Sequence, residues 1–441
     1  MRPSLLLAVL TAVVALSGCE RALVDPLDRS VDVVGVDLGT VQTSPGLRLG
    51  LRVSGATEVT VDGRAAVLGG DGVFAADIRL ERGLNRLAVR ATDASGVLAT
   101  DTLDALYLPV AADLASAFAL PSVRTEAAAV SVGSQVYVTG GAGAGGTALA
   151  TMAVLTPTGA RFSGVDVPLV DARAGHTASV LPDGSVLLVG GATVREPNRA
   201  ADLVASVEVV RRGGLASERV ALPTGAPVRA GHTARVLQTG GRLIVYLYGG
   251  LVPAGTGVTA SRTVDVFEWT AASSEFRRLS PDGGAGSFEP LVGHVQIPLG
   301  DDAGEAGRAV DLVAGGDAAF VFAFTLPGLS YPFSLNAEMA APLLTPRVDA
   351  AGAPLGLESL AAASGALALV VGGRGASGDA LAGGEIYAER ARRSFRLPDG
   401  VRLAVPRSGA AATRIPGNRI LVAGGRTATG APTAAVEVFS Y

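Results

Sequence analysis

Histidine offers the most versatile chemistry in this chain, which has only three of them: His176, His232 and His294. Each follows a glycine and precedes an apolar run, as in Gly-His-Thr-Ala-Ser-Val. Three imidazoles could hold a metal ion, and one alone could act as a base. The shared context places all three at one position of a repeat. We therefore expect each to be bonded within its own unit, and we predict no metal site, no cofactor and no catalytic residue.

Arginine supplies all the basic charge, because the chain contains no lysine. Without lysine, Schiff-base chemistry and a Walker-type phosphate loop are excluded. The formal net charge is −4 and no basic block stands out, which argues against nucleic acid as a partner. A residue that recurs in successive units usually serves the unit, so we predict a structural role for the arginines that open them, in which they bond backbone carbonyls between neighbouring units. They are Arg124, Arg173, Arg229, Arg347 and Arg407.

The most polar loop covers residues 192–204 and contains Arg195, Glu196, Asn198 and Arg199. It follows a glycine pair, and loops after such pairs are expected to share one face with the loops that lead into the next unit. Loops on a rigid scaffold commonly carry binding. These four residues are therefore the candidate binding residues.

Paired glycines that close short apolar runs divide most of the chain into units. The pairs are Gly140-Gly141, Gly190-Gly191, Gly249-Gly250, Gly315-Gly316, Gly372-Gly373 and Gly424-Gly425, spaced 50 to 66 residues apart. Runs such as Val-Leu-Leu-Val before a pair and Val-Glu-Val-Phe after it have the length of strands. Repeats of this length with several short strands per unit are typical of propellers or arrays.

These units resemble the kelch repeat in three features: the Arg-x-Gly-His opening, the double glycine and the following Val-Glu-Val-Phe. The resemblance covers 112–441 and implies a six-bladed β-propeller with four-stranded blades. Units four and five depart from the pattern, since Leu291 replaces the opening arginine and unit five lacks the histidine. The last unit lacks a fourth strand, and we expect residues 116–120 to supply it by pairing with 435–439, which closes the ring.

Residues 31–108 differ in sequence pattern from the repeats. They contain short segments of alternating apolar and polar residues, typical of strands, separated by turns such as Asp62-Gly63 and Gly69-Gly70. The stretch from Phe74 to Asp93 is similar to bacterial immunoglobulin-like domains, which implies a small β-sandwich. The predicted fold class is therefore all-β: an Ig-like β-sandwich followed by a six-bladed kelch-type β-propeller.

The N-terminus combines Arg2, an apolar stretch from Leu5 to Leu16, and Leu16-Ser17-Gly18-Cys19. The stretch has the length of a signal-peptide core, and its end resembles the bacterial lipobox, although an ordinary secretory signal with an incidental cysteine is the alternative. The resemblance implies a signal peptide over 1–18, lipidation of Cys19 and a tether over 19–30. Glu20 favours the outer membrane in that family.

Two functions remain open. One is a lipid-anchored cell-envelope protein that presents the propeller to a protein or glycan partner without catalysing a reaction. The other is a carbohydrate-active propeller enzyme, because some kelch proteins act on sialic acid through arginine, glutamate and histidine at the channel mouth. Clustered arginine, glutamate and histidine with a buried carboxylate at the channel mouth would favour chemistry, and a small apolar lining would favour binding. The ligand, the oligomeric state and the side of the membrane do not follow from the sequence.

Overall fold

The computed structural model describes residues 30–158, 161–239, 241–280, 290–301, 308–315, 318–325, 334–339, 341–356 and 365–441. Across these residues the chain is all-β, apart from a single 3-10 turn at Ala200–Asp202. No helix in the described part is long and apolar enough to cross a membrane. The predicted signal peptide, Cys19 and most of the tether lie outside the described residues.

Two four-stranded sheets form the N-terminal region, in the orders β1-β2-β6-β5 and β4-β3-β7-β8. Alternate residues are buried along β2 and β7, as expected of sheets that cover a core on one face. The strands are β1 Asp32–Val34, β2 Gly46–Arg52, β3 Glu58–Val61, β4 Arg64–Ala65, β5 Val67–Leu68, β6 Phe74–Arg79, β7 Gly83–Asp93 and β8 Gly96–Tyr107.

The chain divides into two compact units, and the larger one takes in parts of this region. The smaller unit comprises the residues up to Val36 together with Arg48–Asp77 and Leu87–Leu103. The larger comprises Asp37–Leu47, Ile78–Arg86 and everything from Asp104 onward.

The larger unit holds six four-stranded antiparallel sheets among the described residues, here called sheets 1 to 6 in chain order. Sheet 1 is β10 Ala128–Val132, β11 Gln135–Thr139, β12 Thr151–Thr158 and β13 Arg161–Pro168; sheet 2 is β14 Thr177–Val180, β15 Val186–Val189, β16 Val207–Val210 and β17 Ser217–Arg219; sheet 3 is β18 Thr233–Thr239, β19 Arg242–Tyr248, β22 Val264–Thr270 and β23 Glu275–Arg278. Sheet 4 is β24 Val295–Asp301, β25 Arg308–Gly315, β26 Ala318–Thr325 and β27 Ser334–Met339; sheet 5 is β28 Ala351–Leu355, β29 Leu367–Val371, β30 Gly384–Ala388 and β31 Arg393–Arg396.

Sheet 6 joins the two ends of the larger unit. Its strands are β33 Ala411–Ile415, β34 Arg419–Ala423, β36 Ala435–Ser440 and β9 Ala111–Ala119. Ala435 lies opposite Ala119 and Ser440 opposite Ala111, with a bulge between Val436 and Val438. A strand from before sheet 1 therefore completes the last sheet. Two short hairpins lie outside the sheets: β20 Leu251–Ala254 with β21 Gly257–Ala260, and β32 Arg407–Ser408 with β35 Arg426–Thr427.

Apolar side chains pack between each sheet and the next, which makes the arrangement circular. Sheets 2 and 3, for example, share a cluster containing Leu187, Val209 and Phe267. The same holds for the last and first sheets, where Leu421 and Val436 join a cluster with Val136. Neighbouring sheets share a core at all six junctions.

The glycine pairs join neighbouring sheets through the backbone. The N–H of Gly191 donates to the carbonyl of Arg229 in the next unit (2.7 Å), and that of Gly425 donates to Arg124 (2.8 Å), which links unit six to unit one. The first glycine of the pair lies so close that a Cβ on Gly190 would be 2.5 Å from the Arg229 carbonyl oxygen. Its φ of +63° is also the left-handed conformation that favours glycine.

Gly190→Ala is expected to be among the most destabilising single methyl additions in the chain. The left-handed backbone costs about 1–2 kcal/mol, and the overlap with an immobile carbonyl raises the total to roughly 3 kcal/mol or more. Gly430→Ala is the matched control, because Gly430 also has positive φ (+83°) but a Cβ added there would meet nothing within 4 Å. Chemical unfolding of both variants measures the difference; equal losses would contradict the proposed role of close approach.

Candidate functional site

A ring of backbone hydrogen bonds marks the axis of the larger unit. Its members are the third residues of the unit openings: Glu126, Gly175, Gly231, Gly293, Asp349 and Gly409. Five hydrogen bonds of 2.7–2.9 Å run in one direction around the ring, and in each a backbone N–H donates to a carbonyl oxygen. The donor and acceptor residues are Glu126 to Gly409, Gly409 to Asp349, Asp349 to Gly293, Gly231 to Gly175, and Gly175 to Glu126. Equivalent residues of six sheets approach this closely only around a common axis. We call these six residues the axial ring.

Two members of the axial ring are acidic where the other four are glycine. Glu126 and Asp349 keep the left-handed backbone of the glycines, with φ of +54° and +53°. A non-glycine residue in this conformation costs about 1 kcal/mol or more, and such strain is found preferentially at functional sites. The two carboxylates are therefore conspicuous on the axis of the larger unit.

A cavity of about 350 Å³ opens over the axial ring. Alanines and glycines of the unit openings form much of its lining, and Val194, Leu251 and Val292 add larger apolar side chains from sheets 2, 3 and 4. The charged lining comes from the units of sheets 1, 2, 5 and 6, and it consists of Glu126, Arg195, Glu196, Asp349, Arg374 and Arg426. The imidazoles of His176, His232 and His294 also line the cavity. One side is thus charged, and the other combines apolar side chains with buried imidazoles.

Two of the three arginines share one carboxylate oxygen. Glu196 Oε1 lies 3.3 Å from Arg195 Nη2 and 3.3 Å from Arg426 Nη1. Arg374 is held separately, because its Nη2 lies 2.6 Å and its Nε 3.0 Å from Asp349 Oδ2. Each arginine of the charged side therefore faces a carboxylate while still lining the cavity.

Glu126 differs from the other two acids. Within the described part of the chain, its carboxyl oxygens have no hydrogen bond to protein. Burial, together with the charge of Asp349, raises the pKa of Glu126 to about 7, although Arg426 and Arg195 oppose the shift. Near neutral pH this carboxyl can therefore either donate or accept a proton.

The three histidines lie in a chain of contacts between neighbouring sheets. The expectation that each histidine is bonded within its own unit is wrong, because the Nε2 atoms form hydrogen bonds to threonines of the preceding sheet. The pairs are Thr139 with His176 (2.8 Å), Thr177 with His232 (3.3 Å) and Thr233 with His294 (3.0 Å). Burial lowers the pKa of His176 well below its usual value, that of His232 to about 3 and that of His294 to about 4. The imidazoles are therefore neutral at physiological pH. No group of three metal-ligating side chains is present in the described residues.

Stability is expected to fall as pH decreases from 6.5 to 5. Unfolded histidine binds a proton below pH 6.5, whereas the three buried imidazoles do not, so acid favours the unfolded chain. Glu126 has the opposite sign, because its raised pKa makes the folded chain bind a proton between pH 7 and 4.5. The three histidines outweigh the single glutamate, so the free energy of unfolding is expected to fall by up to roughly 3 kcal/mol per pH unit.

Urea unfolding at several pH values in that window measures the slope. His232→Gln keeps a hydrogen-bonding group near Thr177 and is expected to make the slope shallower. A stability that stays constant or rises toward pH 5 would contradict the neutral, buried state of the histidines.

The repeat arginines are buried and point into their own sheets. Arg173 donates to the carbonyl of Gly190 (2.7 Å) and pairs with Glu208, and Arg229 does the same with Gly249 (2.7 Å) and Asp265. The other three, Arg124, Arg347 and Arg407, pair with Asp166, Glu385 and Glu437. Their guanidinium groups therefore hold the third or fourth strand of the same unit and do not line the cavity. The structural role is as predicted, but the predicted bonding between units is wrong, because the carbonyls and acids they contact belong to their own unit.

The structure separates the four candidate residues of the loop 192–204. Arg195 and Glu196 line the cavity, and the backbone N–H of Arg195 is fixed by the carbonyl of Gly146 (2.9 Å). Asn198 and Arg199 lie outside it. The Arg199 side chain pairs with Asp202 (2.7 Å), which also accepts hydrogen bonds from the backbone N–H groups of both residues.

Glu126, Asp349, Arg374 and Arg426 were not among the candidates from the sequence. Each could have been found in the sequence as a position where one unit departs from the repeat. Glu126 and Asp349 replace the glycine of Arg-x-Gly, and Arg374 and Arg426 directly follow a glycine pair, where units one and two have alanine. These departures, more than the repeated residues, build the charged side of the cavity.

Comparison with known proteins defines the class of fold. No family model and no curated protein matches the chain. Among solved structures, the all-β chain is similar to a β-propeller, and the larger unit has that fold.

One similar solved structure is that of YjhT, a kelch-type propeller protein. It aligns with a TM-score of 0.50 at 13% sequence identity, and the alignment covers 73% of this chain and 96% of that one. At this identity the likeness establishes the fold alone.

Proposed function

We propose that this chain is an envelope protein whose propeller binds a small carboxylate-bearing ligand, an acidic sugar, in the cavity over the axial ring. Sheets 1 to 6 would be the blades of a six-bladed kelch-type propeller, and the smaller N-terminal unit an Ig-like domain. The main support for this proposal is that Arg195, Arg374 and Arg426 line one cavity together with apolar side chains.

The size of the cavity favours a small molecule over a protein partner. Ligand pockets commonly enclose about 300–1,000 Å³, and this one is near the lower end at about 350 Å³. A monosaccharide acid fits that space, whereas a protein surface would need an extended face.

The charges favour an anion. Guanidinium groups bind carboxylates through paired, charge-assisted hydrogen bonds. With Asp349 committed to Arg374 and Glu126 partly protonated near neutral pH, the three arginines exceed the ionised acids. Leu251 and Val292 on the opposite side would contact the less polar face of the same ligand.

A calorimetric titration of the purified protein tests this function. We expect binding of N-acetylneuraminate or glucuronate with a Kd below about 1 mM, and at least tenfold weaker binding of the neutral sugar N-acetylmannosamine. Equal affinity for acidic and neutral sugars would refute an anion site. An absence of binding by every acid would refute the ligand class.

A second candidate function is acid–base chemistry on the bound sugar, and Glu126 is the observation that favours it. A carboxyl that titrates near neutral pH is suited to transfer a proton. Proton NMR of N-acetylneuraminate with the protein would show faster interconversion of its anomers or new products, and Glu126→Gln would abolish the change while leaving binding intact. Binding with no change in the sugar would restrict the protein to the binding function.

The lipid anchor at Cys19 is also part of the proposal, with the outer membrane as the expected location. It is supported by the lipobox-like sequence before Cys19, the chain's single cysteine. Cys19→Ser should shift the protein from the membrane to the soluble fraction, and retention in the membrane would refute the anchor.

A further inference from the structure

We propose that Glu196 occupies, in the free protein, the place that the ligand's carboxylate takes when it binds. Glu196 would then be a specificity-determining residue, an internal competitor that only a carboxylate-bearing ligand displaces. This inference rests on the proposed function, and it assigns the ligand's anionic group to one pair of side chains, Arg195 and Arg426.

The geometry already shows a carboxylate bound at this place. Glu196 Oε1 lies 3.3 Å from a terminal guanidinium nitrogen of each arginine, so one oxygen bridges the two. Arg195 belongs to the loop that follows β15 of sheet 2, and Arg426 follows the glycine pair of sheet 6. Because sheet 1 lies between them, the bridge spans the charged side of the cavity.

The backbones of both arginines are fixed, and their side chains are far less exposed than that of Glu196. The side chains of Arg195 and Arg426 are 27% and 14% exposed, whereas that of Glu196 is 72% exposed. Arg426 lies in β35, paired with Ser408 of β32, and the Arg195 N–H is bonded to Gly146. The Glu196 side chain can therefore leave toward solvent without moving the arginines.

The internal ion pair is also weaker than the one a ligand can make. Charge-assisted N–H···O bonds are commonly about 2.7–2.9 Å long, and both distances to Glu196 are greater. Ion pairs of exposed side chains contribute little. A ligand carboxylate deeper in the cavity would replace the two long contacts to Glu196 with shorter hydrogen bonds to the same arginines. Solvent would also screen its charge less than it screens the exposed Glu196.

Glu196→Gln tests the inference, because it removes the charge and keeps the shape. In calorimetric titrations with N-acetylneuraminate and glucuronate we expect binding about two- to fivefold tighter than wild type, the gain that follows from removing a weak exposed pair. Affinity for N-acetylmannosamine should not change. The control is Glu218→Gln. Glu218 lies on the outer strand β17 and forms an exposed ion pair with Arg211, so its substitution should leave all affinities unchanged.

These titrations distinguish the competitor role of Glu196 from the binding of acidic sugars. Wild-type binding of acids with no gain, or a loss, in Glu196→Gln overturns the competitor role and leaves the ligand site standing. An equal gain for the neutral sugar also overturns it, because Glu196 would then act by bulk. If neither protein binds any carboxylate, both proposals are wrong.

Discussion

A chain that ends at Ala434 is expected to lose the cooperative unfolding of its propeller altogether. The truncation removes β36, the third strand of sheet 6, together with the buried side chains of Val436, Val438 and Phe439. Burial of three such side chains contributes about 5–9 kcal/mol, comparable with the whole stability of many domains. It also leaves β9 without a partner and exposes two sheet edges. Circular dichroism and calorimetry would show the loss, and a truncated chain with the wild-type melting transition would contradict the closure.

A crosslink tests the same closure without deleting anything. Ala119 and Ala435 lie opposite each other in β9 and β36, more than 300 residues apart in sequence. In a chain that carries Cys19→Ser, cysteines at these two positions would form the sole disulfide. Closing so long a loop is expected to stabilise the folded state by about 2–4 kcal/mol relative to the reduced form. Failure of the disulfide to form in the folded protein would contradict the pairing.

Arg426→Ala is expected to cause the largest loss of ligand affinity among single substitutions in the cavity. Arg426 is the least exposed of the three arginines and shares Glu196 with Arg195. Loss of a hydrogen bond to a charged group costs about 1.5–3 kcal/mol, which corresponds to roughly a 10- to 150-fold increase in Kd. Calorimetric titration with N-acetylneuraminate measures the change.

Arg211→Ala provides the matched control, because Arg211 is an arginine in an exposed ion pair that does not line the cavity. It should bind the acid as the wild type does. Arg426→Lys should recover only part of the affinity, since an ammonium lacks the paired geometry of guanidinium. Equal effects of Arg426→Ala and Arg211→Ala would mean that overall charge, and not this cavity, governs binding.

The propeller fold followed from the sequence because its determinants are repeated. In units one, two, three, five and six the first glycine of the pair meets the same local requirement, a left-handed backbone close to the next unit's carbonyl, so one explanation serves these five copies. The acids that pair with the repeat arginines were not predicted, although Glu208 and Glu437 lie in the same Val-Glu-Val repeat feature.

The charged site was harder to predict because it is built from single departures that lie far apart in the chain. Glu126 and Arg426 are 300 residues apart and meet only because the ring closes. Arg195 and Glu196 were predicted from the polarity of their loop, but polarity alone could not separate them from Arg199. The reason is local: Asp202, three residues after Arg199, holds that guanidinium outside the cavity.

A crystal structure of the protein with N-acetylneuraminate would test the central claim most directly. We expect the sugar in the cavity over the axial ring, with its carboxylate between the guanidinium groups of Arg195 and Arg426 and with Glu196 displaced toward solvent. Density for the sugar elsewhere on the protein, or an empty cavity at saturating ligand, would contradict it.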